Sequence, residues 1–374
     1  MEYRVVDNQK NNTLGRVQMK KFTKLALVSS LAISANAMAM QAMDDASLGA
    51  TTGQDGISIG IGISKIEIEK LFIHDNDGLS PTAGDKAAIP ASGTTPAIPA
   101  YTANLGGTST AGAIYIKGNG ISKLGGANGT TETNVVKEKG IVIGANYDNG
   151  GAYLLASRNL ADLQIDSDAG GGNPFINIAA QVSGLDINIG EIGVVASGDV
   201  PAANATTIRR GGTGQENAIL TGLSVKTGPM SANIQLGAAP QGAMIKLNAT
   251  MVGGLTITDL GILDNSTKEG TGDGTAGNRK AGVIHLDSIQ VTDKNSRDLK
   301  LNQSISVFGE EGTDKGYVRI VSNSGAHDNY IKGIHLGSKT AASIGDMEVQ
   351  GMQTYFSPAQ GTYVPGAIIT IRGH

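Results

Sequence analysis

The chain is 374 residues long, with no cysteine, no tryptophan and a net charge of −4. Without cysteine it has neither a disulfide framework nor thiolate chemistry. Glycine is abundant at 54 residues but follows no Gly-X-Y period, which excludes collagen and points to short strands broken by many turns.

The charge is unevenly spread. Arg4, Lys10, Arg16, Lys20, Lys21 and Lys24 against Glu2 and Asp7 give residues 1–39 a net +4, leaving −8 for the remainder. An acidic chain repels phosphates, and no basic run with interleaved aromatics appears, so nucleic acid is not expected as a partner.

In chain order, residues 1–18 contain no apolar stretch and read as an over-called N-terminal extension, with Met19 as the initiator. A long leader starting at Met1 is the alternative. Met19-Lys20-Lys21-Phe22-Thr23-Lys24 is a basic segment, followed by an apolar stretch from Leu25 to Ile33. Overlapping small-x-small sites then end at Ala37 and Ala39. This order predicts a secretory signal helix over 19–39, cleaved after Ala39 or Ala37, and too short to span a bilayer. A type IV prepilin would need Gly before the cut and Glu at the fifth mature position, where Lys21 and Ala26 stand. No later segment reaches transmembrane length. The expectation is Sec export in a Gram-negative bacterium, to the cell surface, outer membrane or medium, with the periplasm as alternative.

Residues 40–56 read as a flexible mature N-terminus and 57–374 as a single all-β domain. Ile57, Ile59, Ile61 and Ile63 alternate with Ser58, Gly60 and Gly62, the period of a strand with one apolar face. Preceded by Gly53, Asp55 and Gly56, this segment is a candidate donated strand for completing the sheet of another subunit. The alternative is that it is the first strand of its own sheet.

The alternation then slips phase. Ile66, Ile68, Leu71 and Ile73 follow the form Φ-x-Φ-x-x-Φ-x-Φ. So do Leu255, Ile257, Leu260 and Ile262, and again Ile284, Leu286, Ile289 and Val291. These copies end near Asp75, Asp264 and Asp293, and a partial copy runs through Met347, Val349, Met352 and Thr354. One extra residue between two alternating pairs is what a β-bulge or a corner requires. The copies are irregularly spaced, so they form a recurring unit and not a strict repeat.

Further strands are predicted at 113–116, 141–143, 175–178, 185–189, 232–236, 244–247, 317–321 and 368–371, separated by Gly- and Asn-rich turns. Residues 78–110, with Pro81, Pro90, Pro96 and Pro99, are a low-complexity loop. The expected fold is all-β: an elongated, repetitive structure built as a long twisted sheet, a β-solenoid-like stack or a sandwich. Nine Tyr and five Phe are too few for the aromatic girdles of an outer-membrane barrel.

There is no His-Glu-x-x-His and no Gly-Lys dipeptide, hence no P-loop. Gly212-Thr213-Gly214 and Gly270-Thr271-Gly272 read as turns. His285 and His335 each sit in Ile-His-Leu and read as solvent-facing strand histidines, because nothing obvious supplies further metal ligands. Asp75 and Asp77, and Asp166 and Asp168, are the calcium candidates, carboxylates in Gly-kinked loops. Neither pair completes an EF-hand loop, and Asx turns explain them equally well. No catalytic or cofactor-binding residues emerge.

Met40-Gln41-Ala42-Met43-Asp44-Asp45-Ala46-Ser47-Leu48 leads into Thr52-Gly53-Gln54-Asp55-Gly56-Ile57, and the chain closes with Gly366-Ala367-Ile368-Ile369-Thr370-Ile371. This resembles the FilA-type pilus-system (pilus assembly) proteins of gamma-proteobacteria over most of the mature chain. The resemblance implies a fimbrial or adhesive surface component without catalytic residues, partnered by other pilus-system or envelope proteins or by itself. The alternative function is a periplasmic or outer-membrane-associated binding protein whose apolar β face holds a lipid-like ligand.

Overall fold

The structure is a computed structural model and describes residues 56–93, 96–103, 105–120, 138–313 and 315–373. The signal helix, the cleavage positions Ala37 and Ala39 and the segments 1–18 and 40–55 lie outside the described residues.

The protein is all-β. Its strands are β1 (Ile57–Ile61), β2 (Lys65–Ile68), β3 (Leu71–Asp75), β4 (Gly112–Lys117), β5 (Ile141–Ala145), β6 (Ala161–Asp168), β7 (Phe175–Val182) and β8 (Leu185–Ile189). They continue as β9 (Glu191–Ser197), β10 (Gly212–Leu220), β11 (Leu223–Lys226), β12 (Met230–Gly237), β13 (Ile245–Met251), β14 (Leu255–Asp264) and β15 (Gly282–Asp293). The last are β16 (Leu299–Gly309), β17 (Gly316–Ser322), β18 (His327–Leu336), β19 (Ser343–Met352), β20 (Tyr355–Ala359), β21 (Thr362–Pro365) and β22 (Ala367–Ile371). Among the described residues the helical pieces are single turns, and the one at Asp148–Gly151 has Asn149 and Gly150 in the left-handed region. Among the described residues no helix is long and apolar enough to cross a membrane.

Among the described residues every strand pairing is antiparallel, which separates this fold from a parallel β-solenoid. One 8-stranded sheet has the order β1-β6-β7-β12-β13-β16-β17-β22. The 12-stranded sheet follows the same order by ribs: β2 and β3, β5 and β4, β8 and β9, β11 and β10, then β14, β15, β18 and β19. A rib of the first sheet therefore leads along the chain into the matching rib of the second, as β7 leads into β8 and β9 across Ser183 and Gly184.

Alternation turns this order into rows. In the first sheet, Ile57, Ile165, Ile178, Ile234, Ile245, Ile305, Ile320 and Ile369 are successive cross-strand partners from one edge to the other. In the second, Ile66, Ile143, Ile187, Val225, Ile257, Ile289, Ile331 and Met347 form the equivalent row. β-Branched side chains suit a pleated surface, and each such pair contributes about 0.2–1 kcal/mol over alanine.

The phase slip of the recurring unit is a seam across the second sheet. In β14 the extra residue is Asp259, at φ +59°. Across from it on β15 is Asp287, and beyond that on β18 is Gly333, at φ +66°. The ladder resumes on both sides, with Thr258, Ser288 and Lys332 in one row and Leu260, Leu286 and Ile334 in the next. In the broken ribs the same level falls at Glu69-Lys70, Gly140, Gly190 and Thr221-Gly222. There the Gly140 N–H donates to the Glu69 carbonyl at 2.9 Å, and the Gly190 N–H to the Gly140 carbonyl at 2.8 Å. A shared level explains why the apolar residues can change phase together without breaking pairing. The partial copy at Met347–Thr354 has its own bulge, between Val349 and Met352.

A second line of small polar residues joins the sheets. Asn146, Ser183 and Thr227 are buried, and their polar groups are satisfied. The Asn146 side-chain amide donates to the Thr227 carbonyl at 3.0 Å, and the Ser183 hydroxyl to the Asn159 carbonyl at 2.7 Å.

The turn expected at Gly212-Thr213-Gly214 is corrected. Gly212-Thr213-Gly214 begins strand β10, where a register shift against β9 absorbs the positive φ of Gly214. Long-range pairing with Ala196 and Ser197 overrides the local turn signal. The loop 78–110 is mostly exposed, with two isolated bridges, Lys86 to Tyr101 and Ile89 to Ile98.

Candidate functional site

The two faces of the second sheet differ in an unusual direction. Beyond the seam, Leu71, Ile116, Ile192, Leu220, Ile262, Ile284 and Leu336 form one row. Toward the strand ends this face is open to solvent, with Ile73 at 58%, Ile114 at 45%, Ile284 at 47% and Leu336 at 52% exposure. The opposite face holds Ala113, Tyr115, Val195 and His285, all buried. Phe72 packs against Ala113, Tyr115 and Val195 there. A soluble globular protein normally encloses its isoleucines and exposes its polar side chains, so this exposed face is the candidate interaction surface.

Around Tyr115 and Ser224 the enclosed face carries polar chemistry in satisfied form. The Tyr115 hydroxyl donates to Glu191 at 2.8 Å, and Lys117 lies over the Tyr115 ring and pairs with Glu191 and Glu216. Burial, followed by the Glu191 bond, drives the tyrosine's pKa far upward. On the other side of the seam, the Ser224 hydroxyl donates to the Asn188 side-chain oxygen at 2.8 Å.

The candidate donated strand is an edge strand of its own sheet: Ile57, Ile59 and Ile61 pair with Ile165, Leu163 and Ala161. Ile63 lies in the bend that follows. Among the described residues β1 pairs on one side only, and β22 does the same at the opposite edge. Gly56-Ile57-Ser58-Ile59-Gly60 also has the Gly-x-Ser-x-Gly spacing of a nucleophile elbow. Ser58 sits in the middle of this extended strand opposite Gln164, without the strand-to-helix turn that chemistry needs.

The calcium candidates fall into separate turns. The Asp75 carboxylate accepts from the Asp77 and Gly78 N–H groups, and that of Asp168 from the Gly170 N–H at 2.6 Å. Asp166 lies in β6 beside Gly56, where a β-carbon would come within 2.0 Å of Asp166 Oδ1.

His285 and His335 do not face solvent. They are direct cross-strand partners on the enclosed face, with ring centroids 5.8 Å apart, and His285 is only 2% exposed. Their alternation with apolar residues is as the sequence reads; which face is enclosed depends on sheet curvature. Asp259 and Asp287 beside them escape notice in the sequence. The signal available was their shared position, in the two-residue gap of two copies of the recurring unit.

The fold and this surface define a class of all-β protein, built of antiparallel sheets with an open apolar face. In comparison with known proteins, a family of unknown function, DUF6160, matches residues 19–90, less than a quarter of the chain. No curated protein and no solved structure matches.

Proposed function

We propose that the protein is an exported, non-catalytic structural or adhesive component of the cell surface, of the pilus-system kind. The carrying observation is the set of exposed apolar side chains Ile73, Ile114, Ile262, Ile284 and Leu336 on one face of the second sheet, opposite the face that encloses Tyr115 and His285. Apolar patches of that breadth mark interaction surfaces, and open edge strands supply further backbone pairing. Another protein surface is the proposed cover for this face.

The test is surface accessibility. An epitope inserted in the loop 270–277 should be labelled on intact cells. Labelling only after the outer membrane is opened would instead favour the second reading, a periplasmic binding protein. The exposed Ile73 and Ile114 support that reading too, and a lipid co-purifying with the protein would be its sign.

A further inference from the structure

We propose that His285, His335 and Asp287 form a binding site for a divalent transition-metal ion of the zinc class, set into the seam of the second sheet. His285 and Asp287 are two residues apart on β15, and His335 is the direct partner of His285 on β18. The residue opposite Asp287 is Gly333, where a β-carbon would lie 2.1 Å from Asp287 Oδ2. The missing side chain is what lets this carboxylate reach over the neighbouring strand.

The distances fit coordination better than hydrogen bonding. Asp287 Oδ1 stands 3.4 Å from His285 Nε2 and 3.4 Å from His335 Nε2. A hydrogen bond between such groups has a mode near 2.9 Å. Two ligands about 2.0–2.1 Å from one tetrahedral ion are separated by roughly 3.3 Å. Both Nε2 atoms are buried without a hydrogen-bond partner, and the His285 side chain is 2% exposed. Such orphaned groups are rare, and each calls for a cause.

A backbone carbonyl already orients the His335 ring. Its Nδ1 lies 2.6 Å from the Ala341 carbonyl. That contact fixes the tautomer with the proton on Nδ1 and leaves the Nε2 lone pair for a metal, the usual arrangement of a ligating histidine.

Asp259 completes the surroundings. Its Oδ1 is 3.9 Å from His285 Nε2 and 2.6 Å from Lys339 Nζ. A cavity of about 180 Å³, lined by Asp259, His285, Lys339, Asn119 and Thr221, opens beside it. Among the described residues no three donors already converge at bonding distance. Closure therefore requires the two rings, with centroids 5.8 Å apart, and the Asp287 carboxylate to adjust together around the ion. Asp259, released from Lys339, or a water supplies the fourth position. Two imidazoles with one or two carboxylates suit zinc, cobalt or nickel and not calcium or magnesium.

The test is titration of the purified full chain, stripped by chelator, with cobalt(II) followed by absorbance and with zinc(II) followed by calorimetry. The expected result is one equivalent bound with tetrahedral cobalt bands, a micromolar or tighter Kd, and a higher Tm with zinc. His335→Gln and Asp287→Asn should each weaken binding at least tenfold while leaving circular dichroism unchanged. His327→Gln, at another partly enclosed histidine of this sheet, should leave it intact. Absence of binding, or binding that survives both His335→Gln and Asp287→Asn, overturns the proposal and leaves a bare histidine–aspartate pair. Should His285→Gln fail to fold, the other two variants still decide.

Discussion

Gly193 stands directly across from Tyr115, and a β-carbon at Gly193 would lie 2.4 Å from the tyrosine Oη and 2.5 Å from the Asn217 carbonyl oxygen. The buried tyrosine thus fills the space that the glycine leaves, and backbone closes the other side. Gly193→Ala should destabilise by about 1–3 kcal/mol, the usual cost of overpacking. Gly112→Ala, in β4 with open space around it, should stay within about 0.5 kcal/mol of wild type. Chemical denaturation compares them, and equal losses would mean that Tyr115 is not held this way.

The eight-isoleucine row makes a positional prediction. Ile234 on β12 has isoleucine partners on both sides, Ile178 and Ile245, whereas Ile57 on the edge has only Ile165 and is 62% exposed. Ile234→Thr keeps the β-branch and loses apolar contact on two sides, at about 1–2 kcal/mol. Ile57→Thr should cost less than half of that. Thermal unfolding of the pair measures the difference, and a larger loss at the edge would contradict the register.

Two carboxylates tie the bulged strands to their neighbours and set an acid limit. Asp328 accepts from the Asn295 N–H at 2.8 Å and the Gly351 N–H at 2.7 Å, and these bonds hold its pKa below the ordinary 3.8. Asp346 accepts from the Gly333 N–H at 2.8 Å and the Tyr330 hydroxyl at 2.7 Å, with the same direction of shift. A carboxyl more acidic in the folded state stabilises fully above its unfolded value and loses that contribution as pH falls through the folded one. Stability should therefore drop below about pH 4. The double variant Asp328→Asn with Asp346→Asn should be less stable at pH 7 and show a shallower acid slope. A slope unchanged from wild type would remove these two groups from the account.

The exposed face should separate association from folding. Ile114→Asp and Ile284→Lys place charges where the side chains are nearly half exposed. Each should cost about 1 kcal/mol or less in stability. If this face meets another protein surface, both should reduce assembly, read by sedimentation or light scattering. Unchanged assembly with unchanged folding would move the interface elsewhere, to the edge strands first.

Much of this molecule is legible along the chain because isoleucine marks one face of nearly every strand. Alternation finds β1, β7, β8 and β22, and the slipped phase of Leu255–Ile262 and Ile284–Val291 finds the seam. What escapes is set by distant chain. β10 is hidden because Gly212 and Gly214 signal a turn locally, yet pair with or bulge against β9. The histidines are legible as a pair on the non-apolar face. Their enclosure is not legible, because it depends on the curvature of strands brought together from residues 71 to 336. Asp287 became a neighbour of His335 only through the register of β15 with β18.

The shared order of the two sheets has a consequence for how the chain comes together. Each rib hydrogen-bonds only to the rib made just before it and the one made just after it. A chain delivered N-terminus first can therefore add ribs in order of arrival, with no strand left waiting for a partner from the far end. Local connectivity of this kind lowers the loop-closure entropy that slows most β proteins. It also limits the unpaired edges to the first rib and the growing one while the rest of the chain arrives.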